Sequence, residues 1–201
     1  MAKDTKSKPP SKGGKSAPPV AAPGTFVSER VPNPNIQEVA QQMHYAALVA
    51  NSAWHMLPKS LHRLPKPVAA IVNAAFAMEL YVKSLYSTLT LGDPSSGRHG
   101  LNKPVATGHG PGELFRKMHQ APRYKTLGDE IVKRYGASPL SQKHPDLQDL
   151  LDSYNSTFNH FRYVFEGNYT TLLNFDVDTQ FEVLGFLRTT IEDLESFQPS
   201  T

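Results

Sequence analysis

Apolar residues recur at every third or fourth position along most of the chain, which is the spacing of helices that bury one face. The second of these stripes has a further apolar flank at Val72, Phe76 and Tyr86, so its helix is expected in the middle of a bundle. No segment alternates between apolar and polar residues as a half-buried strand does. The pattern predicts an all-α up-and-down bundle of about five to six helices, over residues 35–57, 68–90, 111–120, 123–135, 146–166 and 176–197.

Residues 1–34 have a different composition, rich in Lys, Pro, Gly, Ser and Ala and almost free of large apolar side chains. Such a segment cannot bury enough surface to offset the entropy of ordering, so we expect a disordered tail followed by one helical domain over 35–198. Residues 1–25 hold five lysines and one aspartate, a charge of +4, whereas the whole chain carries +3. The domain is therefore nearly neutral, unlike a uniformly basic duplex-binding surface. We interpret the tail as a solubilising extension, with a weak tether to nucleic acid as the alternative.

Several classes of site and location are disfavoured by the sequence. The chain has no cysteine, and its eight histidines show no metal-ligand spacing, so neither a metal nor a cofactor is expected. No apolar region follows the N-terminal lysines and no run of 18 apolar residues occurs, so we expect a cytoplasmic protein without a membrane partner.

Charged and polar residues border two of the predicted apolar stripes. Glu79 and Lys83 lie one turn apart on the flank of the second helix, where an unpaired buried charge would be costly. A 3.6-residue turn places four polar residues on one border of the fifth helix: Asn155, Asn159, Arg162 and Glu166. A network between the two sets would satisfy their charges. In one interpretation, the network only fixes the register of the helices. In the other, part of it also faces a cleft and binds an anionic ligand.

The glycine-rich segment TGHGPGELF supplies another candidate, His109, directly before a predicted helix. Unpaired N–H groups and the dipole at a helix N-terminus attract anions, and the surrounding glycines would let backbone approach a ligand. A lone histidine in such a loop also serves as a cap or packing residue, so both interpretations stay open.

Three segments resemble motifs of the HEPN superfamily of small helical bundles: AFAMELYVKSL at 75–85, GHGPGELF at 108–115 and FNHFRYVFEG at 158–167. Glu79 and Lys83 match the family's E-L-x-L-K core, and His109 matches its Gly-His loop. Arg162 and Glu166 match the aromatic-Arg-Tyr-x-x-Glu pattern. The resemblance implies a dimeric helical bundle. Many members are metal-independent ribonucleases of toxin-antitoxin and phage-defence systems, and others are non-catalytic binding modules.

The catalytic members carry an arginine, four to six arbitrary residues and then a histidine, but here Arg162 is followed by YVFEGNY, which contains no histidine. We therefore expect a non-catalytic HEPN-like homodimer that recognises RNA, a nucleotide or a cognate protein, in stress response or phage defence. One alternative is a metal-independent endoribonuclease that uses Arg162 with a relocated His109, since 2′-hydroxyl chemistry needs a proton-exchanging group. A ligand-free helical scaffold is the other alternative.

Overall fold

A computed structural model describes residues 27–28, 32–85, 87–90, 101–104, 108–162 and 169–194. The longer helices are α1 (Pro34–Met56), α2 (Val68–Leu85), α3 (Pro111–Gln120), α4 (Lys125–Gly136) and α9 (Val177–Asp193). The shorter ones are α5 (Leu140–Lys143), α6 (Leu147–Ser153), α7 (Thr157–Arg162) and α8 (Tyr169–Asn174). The predicted helical class is confirmed, because most of the described residues lie in these helices. The predicted disordered tail, residues 1–34, lies almost entirely outside the described residues.

A small antiparallel sheet accompanies the helices and was not predicted. Its strands are β1 (Val27–Ser28), β2 (Ser87–Thr90) and β3 (Leu101–Pro104), in the order β1-β2-β3. The predicted end of the second helix near residue 90 is therefore wrong, because α2 stops at Leu85. Leu89 follows Leu85 by four residues and so imitates a further helical turn, although the segment Ser-Thr-Leu-Thr suits a strand better.

The start of α1 is set by its cap. Pro34 occupies the first turn, where its missing N–H has no cost, and the Asn33 side-chain oxygen accepts from the N–H groups of Asn35 and Ile36 at 3.1 and 3.3 Å. The Asn33 N–H donates to the carbonyl of Ser84 at 2.8 Å. One residue therefore both begins α1 and attaches it to the last turn of α2.

The central helix is α2, as its two apolar flanks predicted. It packs against α1, α3, α7 and α9. Fully buried alanines line its contact with α1: Ala40 and Ala47 on α1, and Ala74 and Ala77 on α2. By length and composition α2 is the one described helix that could cross a membrane, but most of it is buried within the bundle.

A second apolar cluster joins α2 to the later helices. Its buried members are Ile71, Phe161, Leu172 and Val177. Phe161 is 2% exposed and meets Phe175 edge to face, with ring centroids 4.8 Å apart. The cluster holds α7 and the start of α9 against the first half of α2.

We expect Phe161→Ala to lower the free energy of unfolding by about 3 to 5 kcal/mol, because it empties a buried aromatic site. Urea denaturation measures this loss. Leu173→Ala is the control, since Leu173 is 49% exposed and its truncation should cost less than about 0.5 kcal/mol. Equal losses for the two variants would contradict the assigned core.

Candidate functional site

The candidate site begins with a buried carboxylate on the central helix. Glu79 is 3% exposed and lies on α2, the helix that packs against α1, α3, α7 and α9. Lys83 lies one turn later, with its Nζ 2.5 Å from Glu79 Oε1 and its side chain 24% exposed. The lysine therefore supplies the countercharge that a buried carboxylate requires, and its stem runs from the core toward solvent.

His109 joins this pair from the segment before α3. Its Nδ1 lies 3.4 Å from Glu79 Oε1, while its side chain is 83% exposed. The preceding Gly108 has a φ of +153°, a backbone conformation that L side chains rarely adopt. Glu79, Lys83 and His109, here called the Glu79 cluster, thus combine a buried acceptor with two donors at the surface.

The cluster has a defined chemical capacity. A carboxylate at one ring nitrogen orients an imidazole and favours the N–H on that side, so the other nitrogen is available to exchange a proton. The 3.4 Å between His109 Nδ1 and Glu79 Oε1 is longer than a typical N–H···O hydrogen bond. Hydrogen bonds of catalytic groups are commonly longer before a ligand binds. The arrangement suits hydrogen bonding to hydroxyl and phosphate oxygens, and acid–base chemistry at His109.

The N-terminus of α3 begins at Pro111, close to the predicted position, but it is not an open anion site. The Asn155 side-chain oxygen accepts from the N–H groups of Gly112 and Glu113 at 2.9 and 3.1 Å. Leu114 N–H donates to the Gly110 carbonyl at 3.0 Å. The first N–H groups of α3 therefore already have partners, and Asn155 acts as a helix cap supplied from another element.

The glycines of this segment serve packing rather than ligand approach. A Cβ on Gly112 would lie 2.5 Å from the backbone nitrogen of Asp152, and one on Gly110 would lie 2.4 Å from the Asn155 side-chain oxygen. Gln148 Nε2 also donates to the Gly112 carbonyl at 2.9 Å, and Arg116 pairs with Asp152. Close contact between α3 and α6 thus explains why two glycines occur here.

The polar border predicted on the fifth helix required one continuous helix over 146–166. The prediction of a continuous helix is wrong, because the segment is divided into α6 and α7. A turn at residues 154–156 separates α6 from α7, with N–H groups bonded three residues back at Tyr154, Asn155 and Thr157. Asn155 and Ser156 in this turn are residue types that compete with the helical backbone for hydrogen bonds. The wheel that aligned Asn155 with later residues therefore does not apply across the turn.

The structure describes the other residues of that polar border only in part. Asn159 and Arg162 lie in α7, which packs on α2, and their side chains lie outside the described part of the chain. Glu166 also lies outside it. The structure therefore brings together Glu79, Lys83 and His109 from the predicted set, whereas Asn155 caps α3.

His160 is exposed, and its Nδ1 lies 3.3 Å from Ser156 Oγ. Among the described residues, no three His, Asp or Glu side chains are grouped so as to hold a metal ion. No family model matches the chain, and comparisons with curated proteins and with solved structures find no similar protein.

We expect Asn155→Ala to destabilise the protein by about 1 to 2 kcal/mol, because two N–H groups of α3 lose their acceptor. Thermal denaturation followed by circular dichroism measures the change. The exposed Asn174 provides the control, and Asn174→Ala should change stability by less than about 0.5 kcal/mol. A loss for Asn155→Ala no larger than that of the control would show that the cap does not stabilise α3.

Proposed function

We propose that this protein is a HEPN-like helical module that recognises RNA through the Glu79 cluster. The supporting observation is an exposed His109 held against a carboxylate that is itself 3% exposed and paired with Lys83. Buried charges in a bundle that only needed stability would be replaced by apolar residues at little cost. The contact between the buried carboxylate of Glu79 and the exposed His109 therefore favours a functional role for the Glu79 cluster.

RNA suits the chemistry of the cluster better than a simple anion does. The capped N-terminus of α3 offers no free N–H groups to a phosphate, and the domain is nearly neutral. A ribose 2′-hydroxyl both donates and accepts hydrogen bonds, so it can pair with the ring nitrogen of His109 that does not face the carboxylate. Lys83, which is partly exposed, would contact the neighbouring phosphate.

Cleavage without a metal is a second candidate, favoured by the position of Nδ1 against Glu79. His109 would accept the proton of a 2′-hydroxyl, whose oxygen would attack the adjacent phosphorus. The bond from phosphorus to the 5′-oxygen would break, leaving a cyclic phosphate and a 5′-hydroxyl that takes up a proton. Arg162, which the resemblance matches to the arginine of the family's catalytic motif, is the second residue of this candidate. The cytoplasmic location and the role in stress response or phage defence stay predictions.

We expect the protein to bind a single-stranded RNA of mixed sequence more tightly than DNA of the same sequence, measured by fluorescence anisotropy in EDTA. His109→Gln and Lys83→Gln should each weaken RNA binding about tenfold, the effect of one lost charged or strong hydrogen bond. His160→Gln is the matched control, because His160 is also an exposed histidine and its described side-chain contact is with Ser156 rather than with Glu79. Equal affinity for RNA and DNA, or no effect of His109→Gln, would contradict recognition by the cluster.

The same samples distinguish binding from cleavage. If the second candidate holds, RNA is shortened in EDTA by the wild type and by His160→Gln but not by His109→Gln, and a 2′-O-methyl RNA stays intact. RNA that is bound but not shortened would support the non-catalytic module and exclude cleavage by His109.

We also propose a homodimer, which the resemblance implies, with the outer face of α1 as the contact. Seven of the nine exposed large apolar side chains among the described residues lie between Val39 and Leu61. Tyr45, Val49 and Met56 share one side of the helix by their spacing, with exposures of 70, 49 and 85%. A concentrated apolar face of this kind is typical of an interaction surface.

We expect light scattering after gel filtration to give twice the 22.2 kDa chain mass for the wild type. Val49→Glu should yield the monomer mass, because it places a charge in the apolar contact. Leu173→Glu, at an exposed apolar residue elsewhere, should leave the dimer intact. A wild-type protein of single-chain mass would exclude this proposal.

A further inference from the structure

A cleft of about 620 Å³ lies where the α5–α6 connection meets the α8–α9 connection, and it shares no residue with the Glu79 cluster. Its floor includes Leu150, Tyr154 and Phe175. The rings of Tyr154 and Phe175 meet edge to face with centroids 6.1 Å apart. The cleft therefore presents a preformed apolar wall, which is typical of sites for small ligands.

The hydroxyl of Tyr154 is the feature that points to a ligand. Tyr154 is 6% exposed and lines the cleft, yet within the described part of the chain its hydroxyl has no hydrogen-bond partner. Burial, followed by the nearby carboxylates of Asp176 and Glu182, raises the pKa of this hydroxyl. The hydroxyl oxygen is not among the fully buried unpaired atoms of the described residues, so it is accessible from the cleft, where a bound molecule can form a hydrogen bond with it.

Three carboxylates are among the residues that line the cleft. They belong to Asp146, Asp149 and Asp176. Asp146 and Asp176 cap α6 and α9, and a helix N-terminus carries only about half a positive charge, so these ends offset part of the negative charge.

The cation on the rim is already engaged. Lys143 Nζ lies 2.8 and 3.0 Å from the two carboxylate oxygens of Glu182, and this pairing raises the pKa of Lys143. Asp149 has neither a capping role nor a basic partner among the described ion pairs. The cleft therefore keeps a net negative charge beside an apolar wall.

We propose that this cleft binds an alkylammonium group. The ammonium lies among the carboxylates of Asp149 and Asp176 and donates to the Tyr154 hydroxyl, and the aliphatic chain packs on Leu150 and Phe175. Such a group is supplied either by a free diamine or by the lysine side chain of a peptide. Both sources carry an ammonium group on an aliphatic chain. They differ at the other end of that aliphatic chain, which bears a second amine in the diamine and the peptide backbone in the lysine.

The test is an NMR titration of the full-length protein that follows the backbone amides of Leu150 and Ser153, which line the cleft. The probes are cadaverine, Nα-acetyl-lysine methylamide and the uncharged 1,5-pentanediol. We expect saturable shifts with at least one of the two cations, and binding of the diol at least about tenfold weaker, because the diol lacks the charged hydrogen bonds. Tighter binding of cadaverine identifies a free diamine, and tighter binding of the lysine derivative identifies a peptide side chain.

Variants separate this site from nonspecific attraction of cations. Asp149→Asn should weaken binding about tenfold and Tyr154→Phe about threefold, as loss of a charged and of a neutral hydrogen-bond partner predicts. Asp129→Asn removes an exposed carboxylate that pairs with Lys125 on α4, and it should leave the affinity unchanged. No saturable shift with either cation, equal affinity for the diol, or equal effects of Asp149→Asn and Asp129→Asn would overturn the proposal.

Discussion

The carboxylate of Glu79, buried in the middle of the central helix, is the constraint on which the arrangement of this bundle depends. Burying a charge without a partner costs several kcal/mol, so the fold must bring cations or donors to it. Lys83 meets this need from the next turn of the same helix, and His109 approaches from the segment before α3. The position of α3 over α2 is therefore tied to the electrostatics of one side chain as well as to apolar packing.

The placement of His109 depends in turn on contacts far along the chain. Asn155 caps α3, and Asp152 lies so close to Gly112 that no side chain fits there. These contacts hold α3 on α6 and so hold His109 beside Glu79. They also occupy the N–H groups that would otherwise attract a phosphate, which is why the chemistry of the site centres on the imidazole and the carboxylate.

Local patterns predicted much of this structure, and the errors have physical causes. The long helices follow from apolar spacing, and the pairing of Glu79 with Lys83 follows from their separation by one turn. The approach of His109 to Glu79 could not be predicted, because it depends on a tertiary cap by Asn155. The turn at 154–156 was not predicted, although Asn155 and Ser156 occur there, because the apolar stripe continues across it. The short sheet was not predicted for a similar reason, because Leu89 extends the helical spacing of α2.

The central claim is that Glu79 holds the imidazole of His109, and ¹⁵N NMR of the histidine ring tests it most directly. At a pH where the ring is neutral, the structure predicts that the wild-type His109 carries its proton mainly on Nδ1, facing the carboxylate. Glu79→Gln should shift the proton toward Nε2, the form that free histidine prefers, while His160 stays unchanged as an internal reference. Identical tautomer populations in the wild type and Glu79→Gln would contradict the account.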